Sequence, residues 1–256
     1  MSAAVVEAYT PDLSLKGKLR RRWARLVSRR PLTADIDRPI VSFTFDDAPR
    51  SAVMQGAAVL ECENVRGTFY VCGGLDGRTG PMGEYADLGA YRALAERGHE
   101  VACHTWSHLD CGKAGGDEIA SDVALNREAL AREGLVTHSF AYPYGDVSPQ
   151  AKAALQGRFA SLRALHPDLV RRGSDLNQLP AVGIEGPVGE TRAEAWIDRA
   201  LRQRAWLILY THDVEASPSA WGCTPDALLR LVRRARAGGA QVAPVGDVLE
   251  RLEQAA

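Results

Sequence analysis

Asp46 and Asp47, two adjacent carboxylates at the end of Ile40-Val41-Ser42-Phe43-Thr44-Phe45, are the residues whose placement points most directly to chemistry. The apolar run reads as a short buried strand, and a fold tolerates two acids side by side at its end when something neutralises one of them. Such a pair can bind a metal with one set of oxygens and do proton chemistry with the other. The plainer reading is a solvated loop or a helix N-cap, where Asp is favoured. Further along, His104-Thr105-Trp106-Ser107-His108 follows the strand-like stretch 99–103. If the chain turns into a helix there, histidines four apart lie on one face and can place two imidazoles on one metal. The chain has six histidines in all, so two at this spacing are poor filler. Asp47, at another strand's end, can supply a third ligand. Two histidines and a carboxylate leave an open position for water, the pattern of a catalytic rather than a structural site.

His212 follows the strongly apolar Trp206-Leu207-Ile208-Leu209-Tyr210-Thr211, which delivers it to the same rim. An imidazole there can act as general acid towards a leaving group, or it can simply cap a strand end. Between the two histidine motifs lies Phe140-Ala141-Tyr142-Pro143-Tyr144-Gly145. Pro143 and Gly145 force a tight turn whose backbone N–H groups can point at a ligand.

The elements that must position these residues alternate as βα units. Helical spacing covers 51–62, 86–97, 117–133, 148–156, 190–203, 224–237 and a last helix from Asp247. Strand-like runs cover 67–72, 99–103, 139–142, 158–165, 179–184, 206–211 and 241–245, with a Gly-rich loop over 73–83. Seven or eight such units predict a barrel-like parallel sheet, with functional residues gathered at the strands' C-terminal ends.

At 256 residues the chain suits a single α/β barrel, and 46% apolar with 25% charged residues excludes a disordered or fibrous protein. The net charge of −1 lets only local clusters speak about partners, and no nucleic acid is expected. One cluster stands out. Residues 1–14 read as irregular, with Pro11 as a breaker. From Leu15 to Arg30, Leu15, Leu19, Trp23, Leu26 and Val27 fall on one helical face, and Lys16, Lys18, Arg20, Arg21, Arg22, Arg25, Arg29 and Arg30 occupy the rest without an acid among them. Pro31 ends the segment. The chain therefore divides into a basic amphipathic segment, 1–31, and a domain, 32–256. Either the apolar stripe packs on the barrel with its arginines solvated, or the helix over 15–30 lies on an anionic membrane surface; packing with weak membrane attraction is the expectation. Five cysteines without a C-x-x-C pair, no cleavable apolar leader and no run of 18 apolar residues predict a cytoplasmic protein, at most peripheral at the inner face of the membrane.

Taken in order, Thr44-Phe45-Asp46-Asp47, His104-Thr105-Trp106-Ser107-His108, the turn at 140–145 and the strand ending in His212 resemble polysaccharide deacetylases of the NodB-homology type, carbohydrate esterase family 4, from about Ile40 to the C-terminus. The resemblance implies an α/β fold, a distorted (β/α) barrel of seven or eight strands. It also implies a divalent metal held by Asp47, His104 and His108, zinc in the first place with cobalt or another divalent ion as alternatives. Asp46 would be the general base and His212 the general acid. The Tyr144 N–H would help bind the oxyanion, Pro143 would border the substrate, and Leu209 would line the pocket for the acetyl methyl. The expected substrate is an N-acetylated oligo- or polysaccharide, or its lipid-linked precursor, in exopolysaccharide or adhesin synthesis. O-deacetylation, deformylation and non-catalytic glycan binding are the alternatives.

Two family features are missing. An Arg that pairs with the catalytic Asp is replaced by Ala141, with Arg163 as the expected substitute. The Asp-Trp motif that tunes the acid histidine and walls the groove is not evident between Arg158 and Glu190. Asp175 is the expected stand-in for its Asp, and Trp106 for the sugar-stacking face.

Overall fold

The computed structural model describes residues 14–254. The irregular reading of the N-terminus, with Pro11, therefore lies outside the described residues except at Ser14, whose Oγ accepts from the Gly17 N–H at 3.0 Å and caps α1 (Leu15–Ala24).

The centre is β1 (Ile40–Asp46), buried along its whole length. Its alternation sorts side chains by face. Val41, Phe43 and Phe45 join an outer core with α2 (Ala57–Cys62), α6 (Gly189–Gln203) and α7 (Pro225–Ala237). Ile40, Ser42, Thr44 and Asp46 face the barrel interior. The hydroxyls of β1 are satisfied there: Ser42 Oγ donates to the Ala243 carbonyl at 2.7 Å and accepts from the Trp206 indole at 3.0 Å, and Thr44 Oγ1 donates to the Leu209 carbonyl at 2.9 Å.

Around β1 the strands are β2 (Thr68–Val71), β5 (Glu100–Cys103), β6 (Ser139–Ala141), β7 (Ser161–Arg163), β8 (Val182–Gly183), β9 (Trp206–Thr211) and β10 (Gln241–Val242), all parallel. Their order is β7-β6-β5-β2-β1-β9-β8, with β10 against the first two residues of β1. A small antiparallel pair, β3 (Thr79–Gly80) and β4 (Gly83–Glu84), interrupts the Gly-rich loop. The outer layer is completed by α3 (Leu88–Glu96) beside β2 and β5, and by α4 (Gly116–Arg132) and α5 (Pro149–Leu155) over β6 and β7. The last helix, α8 (Val245–Gln254), packs Val248 and Leu249 against Ile40, Trp206 and Ile208, sealing the interior from the strands' N-terminal side.

The barrel-like parallel sheet expected from the βα alternation forms, curled rather than closed in keeping with the distorted barrel that the resemblance implies, with two local differences. β7 and β8 are shorter than the apolar runs 158–165 and 179–184, because the segment between them lies along the free edge of β7. Leu162 N donates to Leu176 O and Leu179 N to Leu162 O, each at 2.8 Å, so the curled sheet nearly closes through one bridge, Arg163 to Leu179. The basic helix stops at Ala24 rather than Arg30. The buried Lys152 ammonium takes the Ala24 carbonyl at 2.9 Å, and Ser28 turns the chain with a φ of 47°.

Candidate active site

β1 and β9 lie side by side in register, Phe45 opposite Thr211, so Asp46 and His212 leave the sheet as neighbours at its C-terminal rim. Among the described residues, five of the eight non-glycine residues with positive φ belong to this rim: Asp47, Ala48, Thr105, His108 and Tyr144. Left-handed backbone is costly for residues with a Cβ and persists where the surroundings over-determine it. Here it turns Asp47 away from the line of its strand and towards the histidines.

The helical turn that would set His104 and His108 on one face does not form; the chain runs as an irregular loop and α4 begins only at Gly116. Left-handed Thr105 and His108 break the helical path, and α4 holds the loop from beside it. Asp122 accepts from the Trp106 N–H at 2.5 Å and from the Ser107 hydroxyl at 2.7 Å, and Thr105 Oγ1 accepts from Leu109 N at 2.9 Å. The two imidazoles still converge. His104 Nε2 and His108 Nε2 stand 3.6 and 3.3 Å from Asp47 Oδ1, and one donor atom from each of the three buried residues lies within 4.8 Å of the others.

The donor set fits a divalent cation. His104 Nδ1 is 2.8 Å from the Ala141 carbonyl, which can only accept, so that nitrogen carries the proton and Nε2 presents its lone pair. Burial pushes the His104 pKa down to about 4, against the pull of Asp46 and Asp47, keeping the ring neutral as a ligand must be.

Asp46 has a different environment. Arg163 is fully buried on β7 and reaches across the interior to make a charge-assisted hydrogen bond with Asp46 Oδ1. Ala141, the register partner of Arg163, and Ala102 on β5 are small, and together with Tyr70 they line the space the side chain crosses. The guanidinium lies 4.8 Å from the Tyr70 ring centroid and 5.7 Å from that of Tyr210. Burial alone would raise the Asp46 pKa; the Arg163 charge, then His104 and His212, overcome it and hold the carboxyl below the usual range. The substitute expected at Arg163 is therefore placed against Asp46, one strand away from position 141.

His212 Nδ1 faces the Trp221 carbonyl at 3.2 Å and Glu185 Oε2 at 3.9 Å. Nδ1 is the donor to that carbonyl, which leaves Nε2 as the atom available for proton transfer. Glu185, just past β8, also accepts from the Tyr210 hydroxyl at 2.8 Å, and burial raises its pKa against the pull of Tyr210 and His212. The loop that returns Trp221 over His212 is wound around Asp213, which accepts from Ser219 N at 2.7 Å and from its hydroxyl. Across the mouth, the Pro143–Gly145 turn sets the Tyr144 ring edge-on to His108, centroids 4.5 Å apart. Pro143 is buried in the turn.

Three expectations need correction. Leu209 does not line the mouth: it is fully buried in the outer core with Phe43 and α6, and the inward neighbour of His212 is Tyr210. Asp175 does not tune His212; it binds Lys152 Nζ at 2.6 Å and Arg30 N at 2.9 Å beneath the C-terminal end of α1. Trp106 lies over Gly73, so close that a Cβ there would stand 2.8 Å from the indole, whereas Trp221, 38% exposed, is the open indole of the residue whose backbone carbonyl meets His212. Glu185, Tyr210 and Trp221 are the site residues that sequence reasoning missed. Glu185 carried a signal, an acid at the C-terminal end of an apolar run.

Residues 33–157 match the family model described as polysaccharide deacetylase. The peptidoglycan-N-acetylglucosamine deacetylase PgdA of Listeria monocytogenes is 29% identical over 112 residues, 43% of this chain and 22% of its own. Chitin deacetylase 1 of Saccharomyces cerevisiae is 30% identical over 117 residues, 45% of this chain and 35% of its own. This chain thus spans between about a fifth and a third of the length of these relatives. A family 4 acetyl xylan esterase from Clostridium thermocellum, solved with a cobalt ion, superposes with a TM-score of 0.60 at 21% identity, covering 85% of this chain and 93% of that one. Over residues 33–157 the sequence is similar to the polysaccharide deacetylases, and the fold that carries them is that of carbohydrate esterase family 4 structures.

Proposed function

We propose that the protein is a divalent-metal-dependent deacetylase that hydrolyses the N-acetyl group of N-acetylhexosamine residues in a glycan, either a polysaccharide of the exopolysaccharide or adhesin kind or its lipid-linked precursor. The observation that carries this reading is the division of labour between adjacent acids: Asp47 faces two neutralisable imidazoles, and Asp46 is held ionised by a buried arginine.

A cation bound by Asp47, His104 and His108, with zinc first among the expected ions, supplies a Lewis acid for the acyl carbonyl and makes water a better nucleophile near neutral pH. Asp46, fixed by Arg163, takes the proton from the attacking water. The Pro143–Gly145 turn brings the Tyr144 backbone to the edge of the mouth, where an N–H would steady the oxygen that gains charge. His212 gives the proton at Nε2 to the departing amine as the C–N bond breaks. Acetate and a free amino sugar leave. The open face of Trp221 offers an apolar surface for a sugar ring.

Acetate release from chitooligosaccharide by metal-loaded protein tests the reading, with acetylated xylan and N-formylated oligosaccharide as competing substrates. Release from chitooligosaccharide is expected, with Asp46→Asn lowering kcat by about 10²–10⁴-fold while metal content is retained. Release from the ester or formyl substrate alone would move the activity to those acyl groups. No release from any of the three would make the protein a glycan binder.

A further inference from the structure

Helix α1 is built inside out. Gly17 and Ala24 are buried against the barrel, and Ala24 joins the core of Phe140, Val147 and Ala151. Arg20 turns inward to Asp146 at 3.1 Å. The large apolar residues point the other way: Leu15, Leu19, Trp23 and Leu26 are 76, 57, 59 and 65% exposed. The packing expected for this stripe does not occur, because the small residues of the opposite face already hold the helix on the barrel. Beside the stripe Lys18, Arg22, Arg25 and Arg29 are exposed, and no acid occurs from Leu15 to Arg30 although the whole chain is near neutral. Among the described residues no helix is long and apolar enough to cross a membrane.

We propose that this face docks on an anionic lipid bilayer, with Leu15, Leu19, Trp23 and Leu26 in the headgroup–acyl boundary and the flanking cations on lipid phosphates. Apolar residues with an interfacial Trp, flanked by cations only, suit that surface. A second copy of the chain suits it less, since a two-fold contact would set one cationic flank near the other. Asp146, the partner of Arg20, lies two residues beyond Tyr144, whose ring meets His108, so α1 is tied to the segment that carries the rim turn. The surface stands on α1 and the turn that follows it, and does not depend on which acyl group the site cleaves.

The test is sedimentation of the full chain with phosphatidylglycerol–phosphatidylcholine vesicles and with pure phosphatidylcholine vesicles. Binding is expected to the anionic vesicles only and to weaken as salt is raised. Arg22→Glu/Arg25→Glu and Leu19→Glu/Trp23→Glu should each lower it by about ten-fold or more, with unchanged circular dichroism; Trp23→Ala serves if a double variant misfolds. No binding to anionic vesicles, or equal binding by folded variants, would overturn the proposal. So would a concentration-dependent dimer that Leu19→Glu/Trp23→Glu dissolves in a protein that ignores vesicles.

Discussion

The two sides of the site are built differently. Asp47, His104 and His108 come from two compact motifs, and their donor atoms converge because left-handed residues and Asp122 shape the loops. The acid–base side is assembled from separate places: Asp46 on β1, Arg163 on β7, Glu185 after β8, and His212 and Trp221 around β9. A ligand triad needs fixed spacing between donor atoms, so its residues travel together. A supporting charge needs only to reach the group it orients, so it can arrive from any strand facing the same interior.

The sharpest way to break the comparison is to remove one residue from each side. His104→Ala should empty the metal site, seen by elemental analysis, and leave no measurable turnover while the protein stays folded. Arg163→Ala should keep the metal but expose Asp46 to an uncompensated burial cost. Breaking a buried pair of this kind costs about 3–5 kcal/mol, measurable by denaturant unfolding, and kcat should fall with it. If Arg163→Ala instead lost metal with full stability, the two sides would not be separable.

Glu185→Gln should act more gently, lowering kcat by about ten-fold through loss of the negative charge beside His212. Its stability effect has the opposite sign. Burial holds the Glu185 pKa above the unfolded value, so its contribution is fully present below the unfolded pKa and is lost as pH rises through the folded one. Gln escapes that loss. The melting temperature of the variant should therefore gain on the wild type as pH rises above the ordinary glutamate range, which thermal melts across pH would show. The smallest effect is expected from Trp221→Ala, a few-fold rise in KM for chitooligosaccharide with kcat nearly kept; an equal rise from Trp106→Ala would return the sugar contact to Trp106.

Several site residues were legible because strands alternate. Asp46 on β1 and His212 just past β9 face the interior, and the same parity puts Tyr210 inside and Leu209 outside, so the misplacement of Leu209 was a parity error that the pattern itself contains. Arg163 was reachable as an expectation because the next strand offered a cation where Ala141 did not. Glu185 stands at the C-terminal end of an apolar run and Asp175 does not, but that local pattern does not say which acid meets His212. What separates them is that Lys152 claims Asp175 while Tyr210 and His212 face Glu185.

The sequence by itself determined the parallel βα sheet and named Asp47, His104 and His108 as residues that could share a metal, because hydrophobic periodicity and motif spacing are local properties. Only the tertiary structure decided which arginine steadies Asp46, which carboxylate faces His212 and which side of α1 meets solvent. Those outcomes depend on side chains from distant strands meeting in one interior, and on small residues such as Ala141, Gly17 and Ala24 leaving room for them.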